Sequence, residues 1–333
     1  MANSRGVIAA LAMDQRSALR KLFAKAMEKE PADVPAEMLV QFKVAVSRVL
    51  TPHASAILLD PEYGLPAAKQ RAKNTGLLLA YERSGYDKGM PGRLPQLLDR
   101  WSAERLVHSG ADCVKILLYY SSSSAAAIND AKRAFVERVG AECALADVPF
   151  FLELVSYWEG IDDKSMEFAR IKPEVVARGM EEFSKPRYRV DVLKVGVPVN
   201  LNFVEGSPGA RKEILYRRSE AIAHFRRASS LAQIPFIYLS EGVSNETFQY
   251  ALELAVEAHA NFSGVLCGRA TWQDGVGILV KRGPAALHDW LMHVGVQNIT
   301  DVNRCLDAAR PWFAASPAVV PARLPRRKGG GRP

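Results

Sequence analysis

The chain has 333 residues, of which 48% are hydrophobic, and a formal net charge of +8. Five of the positive charges lie within the last eleven residues, so the remainder carries only about +3 and has no basic stripe with interleaved aromatic residues, which disfavours nucleic acid as the main partner. No run of eighteen apolar residues, secretory leader pattern or CxxC pair occurs, which disfavours a membrane span, a disulfide framework and a structural zinc site.

Short apolar segments rich in Val, Ile, Leu and Phe recur along the chain, each followed by a longer stretch of helical pattern. The eight predicted strands are 7–13, 55–60, 76–81, 113–120, 149–156, 191–199, 235–240 and 263–268. Near-continuous apolar strands that alternate with helices are typical of a covered parallel sheet, and eight such units match a closed barrel. We therefore predict an α/β fold, a single-domain (β/α)8 TIM barrel over residues 1–320, followed by a disordered basic tail over 321–333. The alternative, a doubly wound sheet, is disfavoured because no GxGxxG follows the first strand and no GxxxxGK[ST] occurs.

The connections between the strands contain the predicted helices. These run over 15–28, 38–50, 94–109, 129–142 and 245–258. Ser244 precedes the last helix and is a good N-cap. The connection 157–185 is long enough to cover the mouth of a barrel.

Three charged residues interrupt apolar strands: Lys115 in the fourth, Glu153 in the fifth and Lys194 in the sixth. A lone buried ammonium or carboxylate costs several kcal/mol unless it is paired or neutralised. Since residues two apart on a strand face the same side, we expect all three to point into the barrel and converge. Each lysine could instead snorkel from a strand end or pair with a carboxylate on a helix. Two lysines and a glutamate favour imine chemistry, because a desolvated lysine beside a second cation can offer a neutral amine to a carbonyl.

Polar residues follow the first two strands, at the end of a barrel where active sites form. Asp14, Gln15 and Arg16 follow the first strand and could hold a polar substrate, although Asp14 could also cap the next helix. Asp60 ends the second strand, and a capping or turn role for it is at least as plausible as a functional one.

The last two strands end in segments that suit an anion. Their candidate residues are Ser240, Gly242, Gly268 and Arg269. Glycines at these rims let backbone N–H groups approach a phosphate, and an arginine adds a fork of donors. The alternative is that the glycines only end strands and begin helices.

Other chemistries find little support in the sequence. The six histidines form no HxH or HExxH pair, and no carboxylate cluster has the spacing of metal ligands, so no metal or cofactor is predicted. Ser240 lacks the GxSxG setting of a serine hydrolase. With its dispersed cysteines, the chain is expected in a reducing cytoplasm.

Four of these segments carry a family resemblance. They are Ala10–Arg16, Ser55–Pro66, Asp191–Asn200 and Gly264–Trp272. With the run around Glu153, they make the chain resemble the tagatose 1,6-diphosphate aldolase family from about residue 5 to 312. The resemblance implies a metal-independent class I aldolase that cleaves tagatose 1,6-bisphosphate to dihydroxyacetone phosphate and glyceraldehyde 3-phosphate. It also implies a cytoplasmic enzyme of carbohydrate metabolism, without cofactor and as a homodimer.

The resemblance also assigns roles to the candidate residues. Lys194 matches the family's Schiff-base lysine, and Glu153 matches its proton-transfer carboxylate. Lys115 and Asp14 complete the constellation. The proximity of the two charges, and not the resemblance, leads us to expect that Lys115 orients hydroxyls and favours the neutral amine of Lys194. Ser240, Gly242, Gly268 and Arg269 would hold one phosphate, and Arg16, beside Gln15, would hold the other.

The chain departs from the family pattern at two positions. The family carries an acidic residue two positions after the imine lysine, whereas this chain has Gly196. Where the family often reads Ser-Ala-Gly or Ser-Ser-Gly, this chain has Ser240-Glu241-Gly242. One hypothesis is that Glu241 compensates for the missing carboxylate. The other is that Glu241 alters the phosphate pocket to admit a substrate with less negative charge.

Three competing functions follow from the same sequence. A 6-deoxy-6-sulfofructose 1-phosphate aldolase would share the barrel and the lysine chemistry, although the segment around Asp60 favours the tagatose branch. A non-catalytic phosphosugar-binding barrel would have lost turnover through the changes at 196 and 241. A nucleic-acid-binding protein acting through its tail would lose salt-sensitive binding on truncation at residue 320.

Overall fold

Eight parallel strands close into a barrel in the computed structural model of the chain, which describes residues 1–87 and 89–313. The strands are β1 Ile8–Ala12, β2 Ala56–Leu59, β3 Gly76–Ala80, β4 Cys113–Tyr120, β5 Phe150–Ser156, β6 Val192–Val195, β7 Phe236–Tyr238 and β8 Gly264–Cys267. Each pairs with the next, and β8 pairs with β1. The predicted (β/α)8 barrel and its eight strands are confirmed. The predicted tail, 321–333, and its boundary lie outside the described residues.

The strand β6 is shorter than the predicted 191–199. It ends at Val195 because Gly196 and Pro198 follow, and proline has no N–H to continue a hydrogen-bonded ladder. This early end turns residues 196–200 into a loop at the carboxyl end of the barrel.

Helices cover the outside of the barrel. They are α1 Ser17–Met27, α2 Ala36–Leu50, α3 Leu65–Ala68, α4 Ala103–His108, α5 Ala126–Leu145, α6 Met166–Phe183, α7 Arg218–Leu231, α8 Asn245–Glu257, α9 Arg269–Trp272, α10 Gly275–Trp290 and α11 Val296–Arg304. Four of the five predicted helices are confirmed, with ends shifted by up to three residues. Ser244 caps α8 as predicted, since its hydroxyl accepts from the N–H of Thr247 at 3.2 Å. None of the described helices has the length and apolar character to cross a membrane.

The predicted helix 94–109 is wrong over its first half. Only Ala103–His108 is helical, because residues 96–98 run back along the end of β3. The N–H of Arg83 donates to the carbonyl of Gln96 at 2.8 Å, and that of Leu98 donates to Tyr81 at 3.0 Å. This tertiary pairing fixes the backbone of Glu82, which bridges to Leu97.

The barrel interior is apolar at its amino-terminal end and charged at its carboxyl end. The apolar residues that fill it are Ile8, Ala10, Ala12, Ala56, Leu58, Leu78, Ala80, Cys113, Phe151, Val192, Ile237 and Leu266. Lys115, Glu153 and Lys194 each lie two residues beyond a member of this set, on the same strand face. The predicted inward orientation of the three charges is therefore confirmed.

A buried ion pair joins α2 to the first two strands. Lys43 and Asp60 are both fully buried, with 2.6 Å between Nζ and Oδ2. The same ammonium donates to the carbonyls of Met13 and Gln15, at 2.5 and 3.0 Å. Asp60 also accepts the N–H of Tyr63 at 2.8 Å, so the turn role considered for it is present alongside the ion pair. The pair thus positions the backbone on either side of Asp14.

A second buried lysine, Lys132, has no carboxylate partner among the described residues. Lys132 of α5 is fully buried, and its Nζ donates to the hydroxyl of Tyr157 at 2.9 Å. No carboxylate lies within 4.0 Å of this ammonium in the part of the chain that the structure describes. Burial therefore lowers the pKa of Lys132 to about 7, because the charged form loses its hydration.

We expect Asp60→Ala to lower the free energy of unfolding by about 3–5 kcal/mol, because the Lys43 ammonium is left buried and unpaired. Urea denaturation followed by circular dichroism measures the change. The control is Asp301→Asn, which breaks the solvent-exposed pair with Arg304 and should cost less than about 1 kcal/mol. Equal effects of the two substitutions would contradict the prediction.

We expect the stability of the protein to rise with pH between about 7 and 10.5 through Lys132. In that window the unfolded lysine binds a proton that the folded one has released, so raising the pH favours the folded state. Urea unfolding of wild type and Lys132→Met at several pH values isolates the effect, since every other titrating group is shared. Parallel pH dependences in the two proteins would show the prediction to be wrong.

Candidate active site

Lys115 lies at the centre of a buried charged cluster. Its Nζ lies 2.9 Å from Asp14 Oδ2, 2.8 Å from Glu82 Oε1 and 2.8 Å from Glu153 Oε2. Lys115 is fully buried, and each of the three carboxylates is at most a tenth exposed. One ammonium, with three N–H donors, therefore ties together the ends of β1, β3, β4 and β5.

Lys194 joins this cluster through Glu153. The register of β5 and β6 places Glu153 directly beside Lys194, and Nζ of Lys194 lies 2.8 Å from Glu153 Oε2. Lys194 is 3% exposed. The predicted convergence of Lys115, Glu153 and Lys194 is thus present, with Glu153 shared between the two lysines.

The two lysines hold two of the carboxylates in the ionised form. Burial alone would raise the pKa of Asp14 and of Glu153, but the attraction of Lys115 and Lys194 outweighs it and lowers both. Burial would likewise lower the pKa of Lys115, but the surrounding carboxylates raise it well above its usual value. Glu82 differs, because burial raises its pKa despite Lys115 and Arg16. In this cluster Lys115 is therefore a cation, Asp14 and Glu153 are ionised carboxylates, and Glu82 is the carboxyl that accepts a proton more readily.

A cavity of about 780 Å³ opens above this cluster at the carboxyl ends of the strands. The predicted site residues that line it are Asp14, Gln15, Arg16, Glu153, Ser240, Gly242 and Arg269. Lys115 and Lys194 lie behind these and contact the lining through Glu153. The connection predicted to cover the mouth contributes Asp163 and Lys164 to the lining.

The groove after β7 and β8 has the chemistry of an anion site. The guanidinium of Arg269 packs against Gly242, where a Cβ would lie 2.5 Å from its Cζ. Gly242 also has φ +83, a conformation that favours glycine. Within residues 1–87 and 89–313, no carboxylate lies within 4.0 Å of Arg269. An uncompensated guanidinium beside an accessible backbone and Ser240 suits a phosphate.

Gly268 and Arg16 are placed differently from the other candidates. Gly268 does not line the cavity but packs on β1, where a Cβ would lie 2.7 Å from the carbonyl oxygen of Ala12. Arg16 is 6% exposed, with Nη1 donating to Glu62 Oε2 at 2.7 Å and Nη2 donating to the carbonyl of Glu82 at 2.8 Å. The contact of Arg16 with a second phosphate remains a prediction, and Glu62 already holds one end of its guanidinium.

The side chain of Glu241 occupies the space beside Gly196. A Cβ at Gly196 would overlap Glu241 Oε1, and Oε2 accepts a hydrogen bond from Lys172 of α6 at 2.6 Å. Lys172 is buried, and it also donates to the carbonyl of Val199 at 3.2 Å. Glu241 has φ +51, which is uncommon for a side chain of its size. A carboxylate is therefore present next to position 196, supplied by the loop after β7.

Sequence reasoning missed Glu82 and Lys172. Glu82 follows the third strand as Asp14 follows the first, so inspection of that rim for acidic residues could have found it. Lys172 lies on a helix with other charged residues, and no local signal marks it as buried. No group of three or more His, Cys, Asp and Glu side chains with the geometry of a metal site occurs among the residues the structure describes.

Comparisons with known proteins place this chain in a family. A family model described as DeoC/LacD family aldolase matches residues 8–274. The chain is 53% identical over 316 residues to tagatose 1,6-diphosphate aldolase 2 of Enterococcus faecalis, covering 94% of each chain. It is 50% identical over 314 residues to tagatose 1,6-diphosphate aldolase of Staphylococcus aureus, covering 94% of this chain and 95% of that one. The fructose-bisphosphate aldolase of Plasmodium falciparum shares the fold, with a TM-score of 0.63 at 13% identity over 90% of both chains.

Proposed function

The chain belongs to the DeoC/LacD family of aldolases, and on that basis we propose that it cleaves tagatose 1,6-bisphosphate reversibly to dihydroxyacetone phosphate and glyceraldehyde 3-phosphate through a Schiff base on Lys194. The observation that carries the proposal is the contact of Lys194 with Glu153 at 2.8 Å on a buried floor that also holds Lys115. Relatives that are 53% and 50% identical to this chain are named tagatose 1,6-diphosphate aldolases.

The reaction begins at Lys194. Its neutral amine attacks the C2 carbonyl of the ketose, and loss of water from the adduct gives an iminium. Glu153 then removes the proton of the C4 hydroxyl, the C3–C4 bond breaks, and its electron pair moves into the iminium. Glyceraldehyde 3-phosphate leaves as the aldehyde. Protonation at C3 and hydrolysis of the imine release dihydroxyacetone phosphate and restore Lys194.

Lys115 supports these steps as a fixed cation. Its raised pKa keeps it protonated, and its contact with Glu153 helps to hold that carboxylate ionised, as a general base must be. Asp14 accepts from the same ammonium and lines the cavity, where it can orient a substrate hydroxyl. These roles need only side chains that are already in contact, so little reorganisation accompanies the chemistry.

One phosphate of the substrate is assigned to the groove formed by Ser240, Gly242 and Arg269, next to Gly268. The other is assigned to Arg16, next to Gln15. A doubly charged phosphate in the groove would give Arg269 the anionic partner it lacks among the described carboxylates. We also propose that the protein acts in the cytoplasm, in carbohydrate metabolism, as a homodimer without a cofactor.

We expect sodium borohydride to trap a covalent adduct of dihydroxyacetone phosphate on Lys194, because reduction converts the imine to a stable secondary amine. Mass spectrometry of the intact protein and of its peptides locates the adduct. Lys194→Met, which keeps an apolar stem of similar length, should give no adduct and no cleavage. If the wild-type protein binds the sugar phosphate but forms no adduct, the proposal is contradicted and the non-catalytic binding barrel is favoured.

We expect Glu241→Ala to lower kcat by about tenfold and to shift the pH dependence of turnover, since it removes the carboxylate beside position 196 and the partner of Lys172. Steady-state kinetics over pH with tagatose 1,6-bisphosphate measures both. Glu241→Gln retains the shape without the charge and should reproduce the pH shift. An unchanged kcat and pH profile would contradict the hypothesis that Glu241 compensates for the carboxylate missing at position 196. A change confined to KM would instead assign Glu241 to the phosphate pocket.

A further inference from the structure

Glu82 is a third carboxylate of the cluster, and the mechanism above does not use it. Its Oε1 lies 2.8 Å from Nζ of Lys115. Its Oε2 is buried and has no hydrogen-bond partner in the described part of the chain. The residue is 5% exposed and lines the cavity. A carboxylate oxygen enclosed without a donor makes the ionised form costly, so this carboxyl is well suited to hold a proton.

A continuous chain of hydrogen bonds and one ion-pair contact leads from Lys194 to Glu82. Lys194 Nζ contacts Glu153 Oε2 at 2.8 Å, Glu153 Oε2 contacts Lys115 Nζ at 2.8 Å, and Lys115 Nζ contacts Glu82 Oε1 at 2.8 Å. Every link is buried, so bulk water does not interrupt the chain. A proton that leaves Lys194 can pass to Glu153 and on to Lys115 while Lys115 gives one of its own to Glu82, so that Lys115 ends as an ammonium and Glu153 as a carboxylate.

The charges around Glu82 make it the carboxyl at which such a proton stops. The groups that face it are Lys115 from β4, Arg16 from the loop after β1, and Asp14, whose negative charge opposes ionisation. Arg16 lies 3.5 Å from Glu82 Oε1 but 2.7 Å from Glu62, so much of its charge is directed elsewhere. The pKa of Glu82 is accordingly raised, mainly by burial, whereas those of Asp14 and Glu153 are lowered.

We propose that Glu82 is the proton store of the reaction, a positioning residue that acts through Lys115 and Glu153. This inference rests on the proposed function. Before the substrate is attacked, the proton of the Lys194 ammonium moves along the chain, so that Lys194 becomes a neutral amine and Glu82 becomes a carboxylic acid. When the adduct at C2 loses its hydroxyl group, the same proton returns and leaves as part of the water. Between the two proton movements the N–C2 bond forms, and the C2–O bond breaks as water leaves. The net charge of the cluster is the same before and after the first transfer.

Glu82→Gln tests the proposal with little change of shape. The amide oxygen can still accept from Lys115, but the side chain cannot take up a proton. We expect the rate of imine formation with dihydroxyacetone phosphate, measured by borohydride quenching at timed intervals, to fall roughly a hundredfold near pH 7. Near pH 9.5 hydroxide can take over the role of the proton store, and most of the deficit should disappear.

Controls separate a proton store from a purely structural role. Glu174→Gln removes a carboxylate from an exposed pair with Arg178 on α6, away from the cavity, and should leave the rate and its pH dependence unchanged. A deficit in Glu82→Gln that is equal at both pH values would overturn the proposal, since damage to the cluster is not repaired by hydroxide. Glu82→Asp provides a second variant, and a loss in it that is independent of pH would overturn the proposal in the same way. Failure of wild type itself to form an adduct would instead contradict the proposed function.

Discussion

The buried ammonium of Lys115 requires anionic partners, and this requirement organises the carboxyl end of the barrel. Lys115 has no access to water, and it is stable there because three carboxylates surround it. Such a cluster contributes little net stability, since desolvation offsets most of the attraction. What it provides is geometry: the ends of four strands must meet at one point, and Glu153 is placed where it also meets Lys194. Order in the site thus follows from the cost of leaving any member unpaired.

The barrel interior and the neighbouring backbone segments hold this cluster in place. Alanines at positions 10, 12, 56 and 80 place small side chains in the interior of the first three strands, and Ala80 lies beside Lys115 in the register of β3 and β4. The buried Lys43 holds the backbone of Met13 and Gln15 and thereby fixes Asp14 between them. A return strand segment at Leu97 fixes Glu82. The reactive side chains are therefore carried by backbone that is constrained on both sides.

The parts of this structure that sequence could predict are those with local signals. Eight apolar segments predicted eight strands. Lys115, Glu153 and Lys194 could be identified because each places a charge inside an apolar strand, where an unpaired charge is costly. Glu82 was missed because an acidic residue just after a strand is ordinary in sequence, and only contact with Lys115 distinguishes it. The Lys43 and Asp60 pair was missed because it joins a helix to a strand end. The helix 94–109 was predicted too long because helical pattern in the chain was overridden by pairing with the end of β3.

The contact between Gly196 and Glu241 has an evolutionary consequence. The two positions are 45 apart in sequence, yet they compete for one volume, because any side chain at 196 overlaps the carboxylate from 241. A side chain at 196 therefore requires the Glu241 carboxylate to leave its present place and its contact with Lys172, or to be absent, which is a case of epistasis between two loops. Lineages that carry an acid at one of these positions are therefore expected to carry a small residue at the other.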